Sequence, residues 1–260
     1  MPSPESQIDQ MTQKVQKMEQ SDLVEGYAWF MANPEESNKE PWMGCFVDGR
    51  HNDSDLNDLG KIYVNMSSFD TKKFYDSGEL IQAKDYVNAT TDDRQVKVRP
   101  NTEQGNRLPL QIELPRLGAH PDYQINVPWE DEYKITVRIK TSASASLWFW
   151  ADNKKIAEVT LPNTNDKWQN FKFYVTLPKG KHTAWLYNGG ASSIFINSWK
   201  FEATSDGIEG VKANGNNGIT AYSLDGTKRG SGKGIQDMHL TKGIYVVSQP
   251  NGEQRKILVK

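Results

Sequence analysis

Two short segments hold the side chains best suited to recognition chemistry: SLWFWAD at 146–152 and TAWLYN at 183–188. Side chains alternate between the two faces of a strand. Leu147, Phe149 and Ala151 therefore share one face of the first segment, leaving Trp148 and Trp150 on the other. In the second, Ala184 and Leu186 share a face opposite Trp185 and Tyr187. If the aliphatic faces make the core, four large aromatics line the outside of one sheet. An aromatic face stacks on the axial C–H groups of a pyranose while an amide fixes a hydroxyl, so sugar binding is the chemistry such a surface offers. The alternative is that another part of the chain covers these rings, because soluble monomers rarely leave such patches open.

The elements that must hold these residues are short strands separated by frequent turns. The stretch 133–201 reads YKITVRIK, SLWFWADNKKIAEVTLP, KWQNFKFYVTLPKGKHTAWLYNGG and SIFINSWKF, and it contains five of the eight tryptophans. PNTND, LPKGKH and YNGGAS are turn signals joining alternating segments, and Pro128, Pro162 and Pro178 close strands. From about Leu80 to Glu202 this pattern predicts an all-β domain, a β-sandwich or jelly roll.

Composition narrows the partners. The 260 residues carry 31 Lys+Arg against 33 Asp+Glu, a formal charge of -2, and no basic stripe, which argues against nucleic acid. A single cysteine, Cys45, excludes an intramolecular disulfide framework and Cys metal clusters. No apolar run approaches the ~20 residues that span a bilayer. The start, MPSPESQIDQMTQ, shows no signal peptide, so the chain is expected either to be cytoplasmic or to continue upstream. No Gly-rich phosphate loop, HExxH or GxSxG occurs, and His51, His120, His182 and His239 are scattered without a companion nucleophile.

Around the β-rich zone lie two segments of different periodicity. Ile8, Met11, Val15 and Met18 recur at helical spacing and predict an amphipathic helix over roughly 5–20. VEGYAWFMA reads as a strand buried on both faces, and Ser54 or Asp55 as the cap of a helix through LNDLGKIYVNM. One such strand has no sheet of its own, so residues 1–68 read as the end of a larger α/β fold, ahead of a sandwich at 69–203. A Gly- and Asn-rich linker at 204–218 precedes ITAYSLDG, KGIYVVSQP and EQRKILVK, a small terminal β module at 219–260 expected to be marginal or mobile.

The central zone resembles carbohydrate-binding module family 6. The resemblance rests on IQAKDY at 81–86, YKITVRI, WFWADNKKIAEVTLP, KWQNFKFYVTLPKGKHTAWLYNGG and INSWKF, about 120 residues in the family's order. It implies a jelly-roll sandwich that binds β-glucans, xylans or related polysaccharides, in a loop cleft or on the concave face of one sheet. Trp168 in DKWQ and Asn197 in FINSW match the family's cleft tryptophan and asparagine, with Tyr123 or His120 from LGAHPDYQINVP nearest to its second aromatic. Gln82 and Lys84 stand where the family commonly has two acidic residues. An ammonium group cannot ligate a hard cation, so the structural calcium is expected to be lost or altered. Asp48, Asp53, Asp55 and Asp58 lack an EF-hand glycine and read as helix capping and solvated surface.

EGYAWFMA and DLNDLGKIY resemble the final strand and closing helix of a glycoside hydrolase barrel, of the family 128 β-1,3-glucanase kind. That likeness gives Trp29 a substrate-facing or packing place. The catalytic carboxylates would belong to earlier strands, and Glu25 has no visible partner. AYSLDGTKR, LTKGIYVV and RKILVK resemble the C-terminal sorting domain of the type IX secretion system. Together these likenesses imply a non-catalytic β-glucan-binding module of a secreted or cell-surface glycoside hydrolase from a Gram-negative bacterium, handled by secretion machinery. The alternatives are a hydrolase fragment with residual activity and an adhesion or spacer sandwich without a glycan.

Overall fold

The structure, a computed structural model, describes residues 3–28, 44–45, 55–204, 218–248 and 254–259. The chain divides into two compact units, Met1–Thr204 and Ser205–Lys260.

The first unit opens with helix α1, Pro4–Glu19. Ser3 caps it by accepting from the Ser6 N–H at 3.2 Å, and Pro4 sits in the first turn, where its missing N–H costs nothing. Helix α2, Asp58–Asn65, begins two to three residues later than the sequence suggests. Its cap is Asn57, whose side chain accepts from the Gly60 N–H at 2.9 Å, rather than Ser54 or Asp55. Between them, residues 24–28 form no strand and are largely exposed, contrary to the buried strand expected there. Among the described residues no strand lies beside them to take up their backbone hydrogen bonds. Trp29 and the rest of that run, with Asp48, His51, Asp53 and Ser54, lie outside the described residues.

The strands that follow are β1 (Tyr75–Asp76), β2 (Ile81–Gln82), β3 (Asn88–Ala89), β4 (Lys97–Pro100), β5 (Leu110–Leu114) and β6 (Pro121–Val127). Then come β7 (Asp131–Lys140), β8 (Ala145–Ala151), β9 (Lys154–Leu161), β10 (Gln169–Leu177), β11 (Gly180–Asn188) and β12 (Ile194–Ala203). They form two sheets. One runs β1-β6-β11-β8-β9 with β3 also on β6, and the other runs β10-β7-β12-β5-β4 with β2 also on β12. All pairs are antiparallel except β1 with β6. The unit is a β-sandwich, as the alternating segments predict.

Its core is the alternation made physical. Leu147, Phe149, Ala184 and Leu186 point inward from the first sheet to meet Val137, Ile139, Ile196, Trp199 and Phe201 of the second, all below 2% exposed. Each fully buried large side chain contributes about 1.5–3 kcal/mol. Trp199 anchors the centre, edge-on to Tyr123 at 5.1 Å and to Phe149 at 6.2 Å. Helices α1 and α2 extend this same core through Ile8, Met11, Val15, Leu59 and Ile62. Polar contacts secure α1 to the sandwich: Gln16 Nε2 donates to the Ala89 carbonyl at 3.0 Å, and Asp9 pairs with Arg99 at 2.6 Å.

Hairpin β8–β9 turns through Asp152 (φ 48°) and Asn153 (φ 65°), the two positive values that match the twist of a two-residue hairpin. His182 fastens this turn from β11. Its Nδ1 lies 2.5 Å from Asp152 Oδ2 and its Nε2 lies 2.9 Å from the Pro178 carbonyl.

The second unit is a four-stranded antiparallel sheet of β13 (Ile219–Ser223), β14 (Lys228–Gly232), β15 (Gly243–Ser248) and β16 (Gln254–Val259), in the order β14-β13-β15-β16. Three of these fall on the predicted segments. The fourth, KRGSG, escapes a pattern search because it has no apolar alternation. Its buried apolar cluster is small, formed by Ala221, Met238 and Val247. The linker residues 205–217 lie outside the described residues.

Candidate functional site

Two outward-facing surfaces of the sandwich carry aromatic rings, and they differ in kind. On the first sheet, strand parity places Trp148 and Trp150 of β8 and Trp185 and Tyr187 of β11 on the outer face, as predicted, and all four are half-buried. Register sets Trp150 directly opposite Trp185, and Trp148 opposite Tyr187. The rings use that register to stack on one another: Trp148 on Tyr187 at 5.2 Å and 4°, and Trp150 on Trp185 at 5.5 Å and 25°. His120 extends the ladder across to β6, 4.7 Å from Trp185 and 5.4 Å from Tyr187. At the other end, Lys155 Nζ lies 4.2 Å over the Trp148 ring. Each stacked pair adds about 0.5–1.5 kcal/mol beyond burial. The ladder therefore spends its ring faces on itself, whereas a pyranose needs an open one.

Beside the ladder, His120 holds Nδ1 3.0 Å from the Gly118 carbonyl and Nε2 3.6 Å from Asp122 Oδ1. Burial pushes the Asp122 carboxyl above its ordinary value, against the hydrogen bond from Asn88 and the nearby imidazole. The glycines of YNGG have a local reason at Gly189. A Cβ there would fall into the indole of Trp148, 2.7 Å from its Cδ1.

The second surface lies on the outer face of the other sheet and is built from a rigid turn. Thr141 and Thr164 clasp each other: the Thr141 N–H donates to Thr164 Oγ1 at 2.9 Å and the Thr164 N–H to Thr141 Oγ1 at 3.1 Å. Asn165 (φ 50°) and Asp166 (φ 56°) then reverse the chain in the left-handed region that these residue types tolerate. Trp168 emerges one residue before β10. Since Gln169 pairs with Ile139, Trp168 stands level with Lys140 of β7 on the outer face. Lys140 Nζ lies 5.3 Å from the Trp168 ring centre and 4.6 Å from that of Phe195, which faces it from β12. Among the described residues, neither Trp168 nor Phe195 stacks on another ring. Phe195 was legible in SIFINSW, where Ile194 and Ile196 take the core face and leave it outside.

From Trp168 the outward side of β10 continues as Asn170, Lys172 and Tyr174, the last 56% exposed. Asn170 accepts from Arg138 Nη1 at 3.2 Å, and Arg138 is also paired with Glu103 of the 101–109 loop. Gln111 Oε1 and Thr136 Oγ1, on the same face, are buried without a hydrogen-bond partner among the described residues.

The other site residues expected from sequence lie below the surface. Asn197 is fully buried, at an irregularity in the β12–β7 register. Its carbonyl accepts from Asn106 Nδ2 at 3.0 Å and its amide donates to the Leu110 carbonyl at 3.4 Å, so it secures the 101–109 loop instead of facing a ligand. Tyr123 is also fully buried. Parity turns it inward with Ile125 and Val127, and its hydroxyl donates to the Ala83 carbonyl at 2.7 Å. His120 belongs to the ladder on the other sheet. Gln82 pairs in register with Ser198, and Lys84 is ion-paired to Asp85. Among the described residues no three His, Cys, Asp or Glu side chains group closely enough to hold a metal ion.

The fold and these surfaces define a largely antiparallel β-sandwich with aromatic residues on both outer faces. No protein-family model matches the sequence, and no curated protein matches it. Solved structures similar to about half of this chain include a β-1,3-glucan-binding family 6 module from Bacillus halodurans, at 18% identity over 50% of this chain and 100% of that one, TM-score 0.45. They also include the family 6 module of Cellvibrio mixtus lichenase 5A in complex with cellotriose, at 19% identity over 49% and 98%, TM-score 0.43. A third is the C-terminal family 6 module of a marine laminarinase from Zobellia galactanivorans, at 21% identity over 48% and 98%, TM-score 0.40.

Proposed function

We propose that the sandwich is a polysaccharide-binding module whose contact surface is the outer face bearing Trp168, Phe195 and Tyr174. One observation carries this reading: the Trp168 ring, held by a clasped turn, is stacked on no other ring among the described residues. A turn fixed before the ligand arrives lowers the ordering cost of binding through the ring it carries. The ladder of Trp148, Trp150, Trp185 and Tyr187 is the scaffold in this reading, because its faces are already occupied. β-Glucan is the backbone class we assign, following the sequence likeness carried by DKWQ and the PKGKHT-to-NGG hairpin. By the separate likenesses of EGYAWFMA with DLNDLGKIY, and of AYSLDGTKR, LTKGIYVV and RKILVK, residues 1–68 derive from a glycoside hydrolase and residues 219–260 serve as a sorting module. The parent would then be a secreted enzyme held at its substrate by a raised effective concentration.

Affinity electrophoresis of the whole chain against laminarin, barley β-glucan, xylan and mannan tests the assignment. At least one β-glucan is expected to retard the wild type, and Trp168→Ala to weaken that retardation by about tenfold, the loss of one anchor ring. Retardation by none of the four removes the reading. Retardation abolished by Trp185→Ala in a folded protein, but untouched by Trp168→Ala, moves the site to the ladder.

A further inference from the structure

The outer face that carries Trp168 is also where lysines collect. Between Trp168 and Tyr174, about 20 Å apart along β10 at the usual strand rise, four lysines stand on three adjacent strands. They are Lys140 and Lys134 of β7, Lys172 of β10 and Lys200 of β12, placed on one side by the pairings Lys200–Thr136–Lys172 and Glu202–Lys134–Tyr174. The carboxylates on this face are Glu202, 3.0 Å from Lys134 and 2.7 Å from Lys200, Glu113, in register beside Phe195, and Glu132 toward the other end of β7. Arg138 is balanced by Glu103. Lys172 and Lys140 pair with no carboxylate among the described residues, and Lys140 meets only the faces of Trp168 and Phe195. An ammonium between two rings is attracted to both, and Lys140 makes no ion pair among the described residues at the spot where a sugar would stack, the carboxylate of Glu113 standing beyond Phe195 in the same row.

From this charge complementarity we infer that the surface takes an acidic polysaccharide: a glycan whose stacked residues carry carboxylate or sulfate groups, read by Lys140 at the Trp168 end and Lys172 farther along. The inference rests on the proposal that this face binds glycan, and it adds the charge of the chain. The chain's overall charge of -2 makes the patch a local feature instead of a general attraction for polyanions.

The test compares one backbone with and without charge. The whole chain is titrated calorimetrically at low and at physiological salt with curdlan oligosaccharides, with their carboxymethylated and sulfated derivatives, and with double-stranded DNA. One or both charged derivatives are expected to bind tighter than the neutral oligosaccharide, with an advantage that shrinks as salt rises. Which derivative binds identifies the acidic group. Lys140→Gln is expected to cost up to about fivefold for the charged glycan, the worth of one exposed charge pair, while Lys140→Arg retains the preference. Circular dichroism verifies that both variants are folded. Equal affinity for neutral and charged oligosaccharides, or tighter charged-glycan binding by Lys140→Gln, overturns the inference while leaving glycan binding standing. Binding of DNA as tight as that of the charged glycans overturns it in favour of unspecific polyanion attraction. Failure of every oligosaccharide to bind overturns the glycan reading itself.

Discussion

Trp148 and Tyr187 face each other across the β8–β11 pairing with ring planes only 4° apart and centres 5.2 Å apart. Such parallel stacking leaves neither inner face free, and it places the Trp148 indole against the backbone of Gly189. Gly189→Ala is therefore expected to push the indole out of its stack, at a cost of about 1–3 kcal/mol in unfolding free energy. Near-ultraviolet circular dichroism would register the lost aromatic coupling, and an unchanged spectrum and melting curve would show that the ring does not need the glycine.

The two surfaces should separate under mutation of stability. Trp185 stacks on both Trp150 and His120, so Trp185→Ala is expected to destabilise the unit by about 2–3 kcal/mol. Trp168 meets only a lysine by its ring face, so Trp168→Ala should stay within about 1 kcal/mol of wild type. Denaturant unfolding of the two variants checks the ordering, and a larger loss at Trp168 would make that residue part of the packing.

Acid titration has a defined sign at the β8–β9 turn. Partial burial alone would raise the Asp152 carboxyl, but the hydrogen bonds from His182 and from the Thr183 N–H outweigh it and hold the group below the usual carboxylate range. A carboxyl with a lowered folded pKa adds stability above its unfolded value of about 3.9, and that stability is lost as pH falls through the folded value. Wild type should thus lose stability below about pH 4 more steeply than Asp152→Asn, whose curve lacks this contribution. Thermal melts between pH 2 and 6 measure the difference, and parallel curves for the two proteins contradict the assignment.

Asn197 provides a test of positioning. Asn197→Ala removes the acceptor of Asn106 and the donor to the Leu110 carbonyl, both in or beside the 101–109 loop. A cost of about 1–3 kcal/mol is expected from the unpaired buried groups. Hydrogen exchange should accelerate in residues 101–109, and exchange unchanged there would show that Asn197 does not hold the loop.

Much of the sandwich was legible from residues alone because alternation is local. Ile8, Met11 and Val15 marked the buried side of α1, and the Leu147–Phe149 and Ala184–Leu186 pairs marked the inner faces of β8 and β11. The helix cap at Asn57 was missed because Ser, Asp and Asn all cap, and choosing among adjacent candidates depends on where the preceding chain arrives. Strand β14 was missed because KRGSG has no periodicity to read.

What the sequence determined by itself was which side each strand residue takes, since that follows from the pleat of an extended backbone. It thus put Trp148, Trp150, Trp185 and Tyr187 outside. Whether a ring's face is then open or taken was decided by the tertiary structure, because register depends on hydrogen bonds between segments distant in the chain. The β8–β11 register closed the ladder onto itself, and the irregularity in the β12–β7 pairing put Asn197 in the interior, whereas the inward side of Tyr123 follows from its alternation with Ile125 and Val127. The meeting of Trp168, Lys140 and Phe195 joins three segments that no local pattern connects.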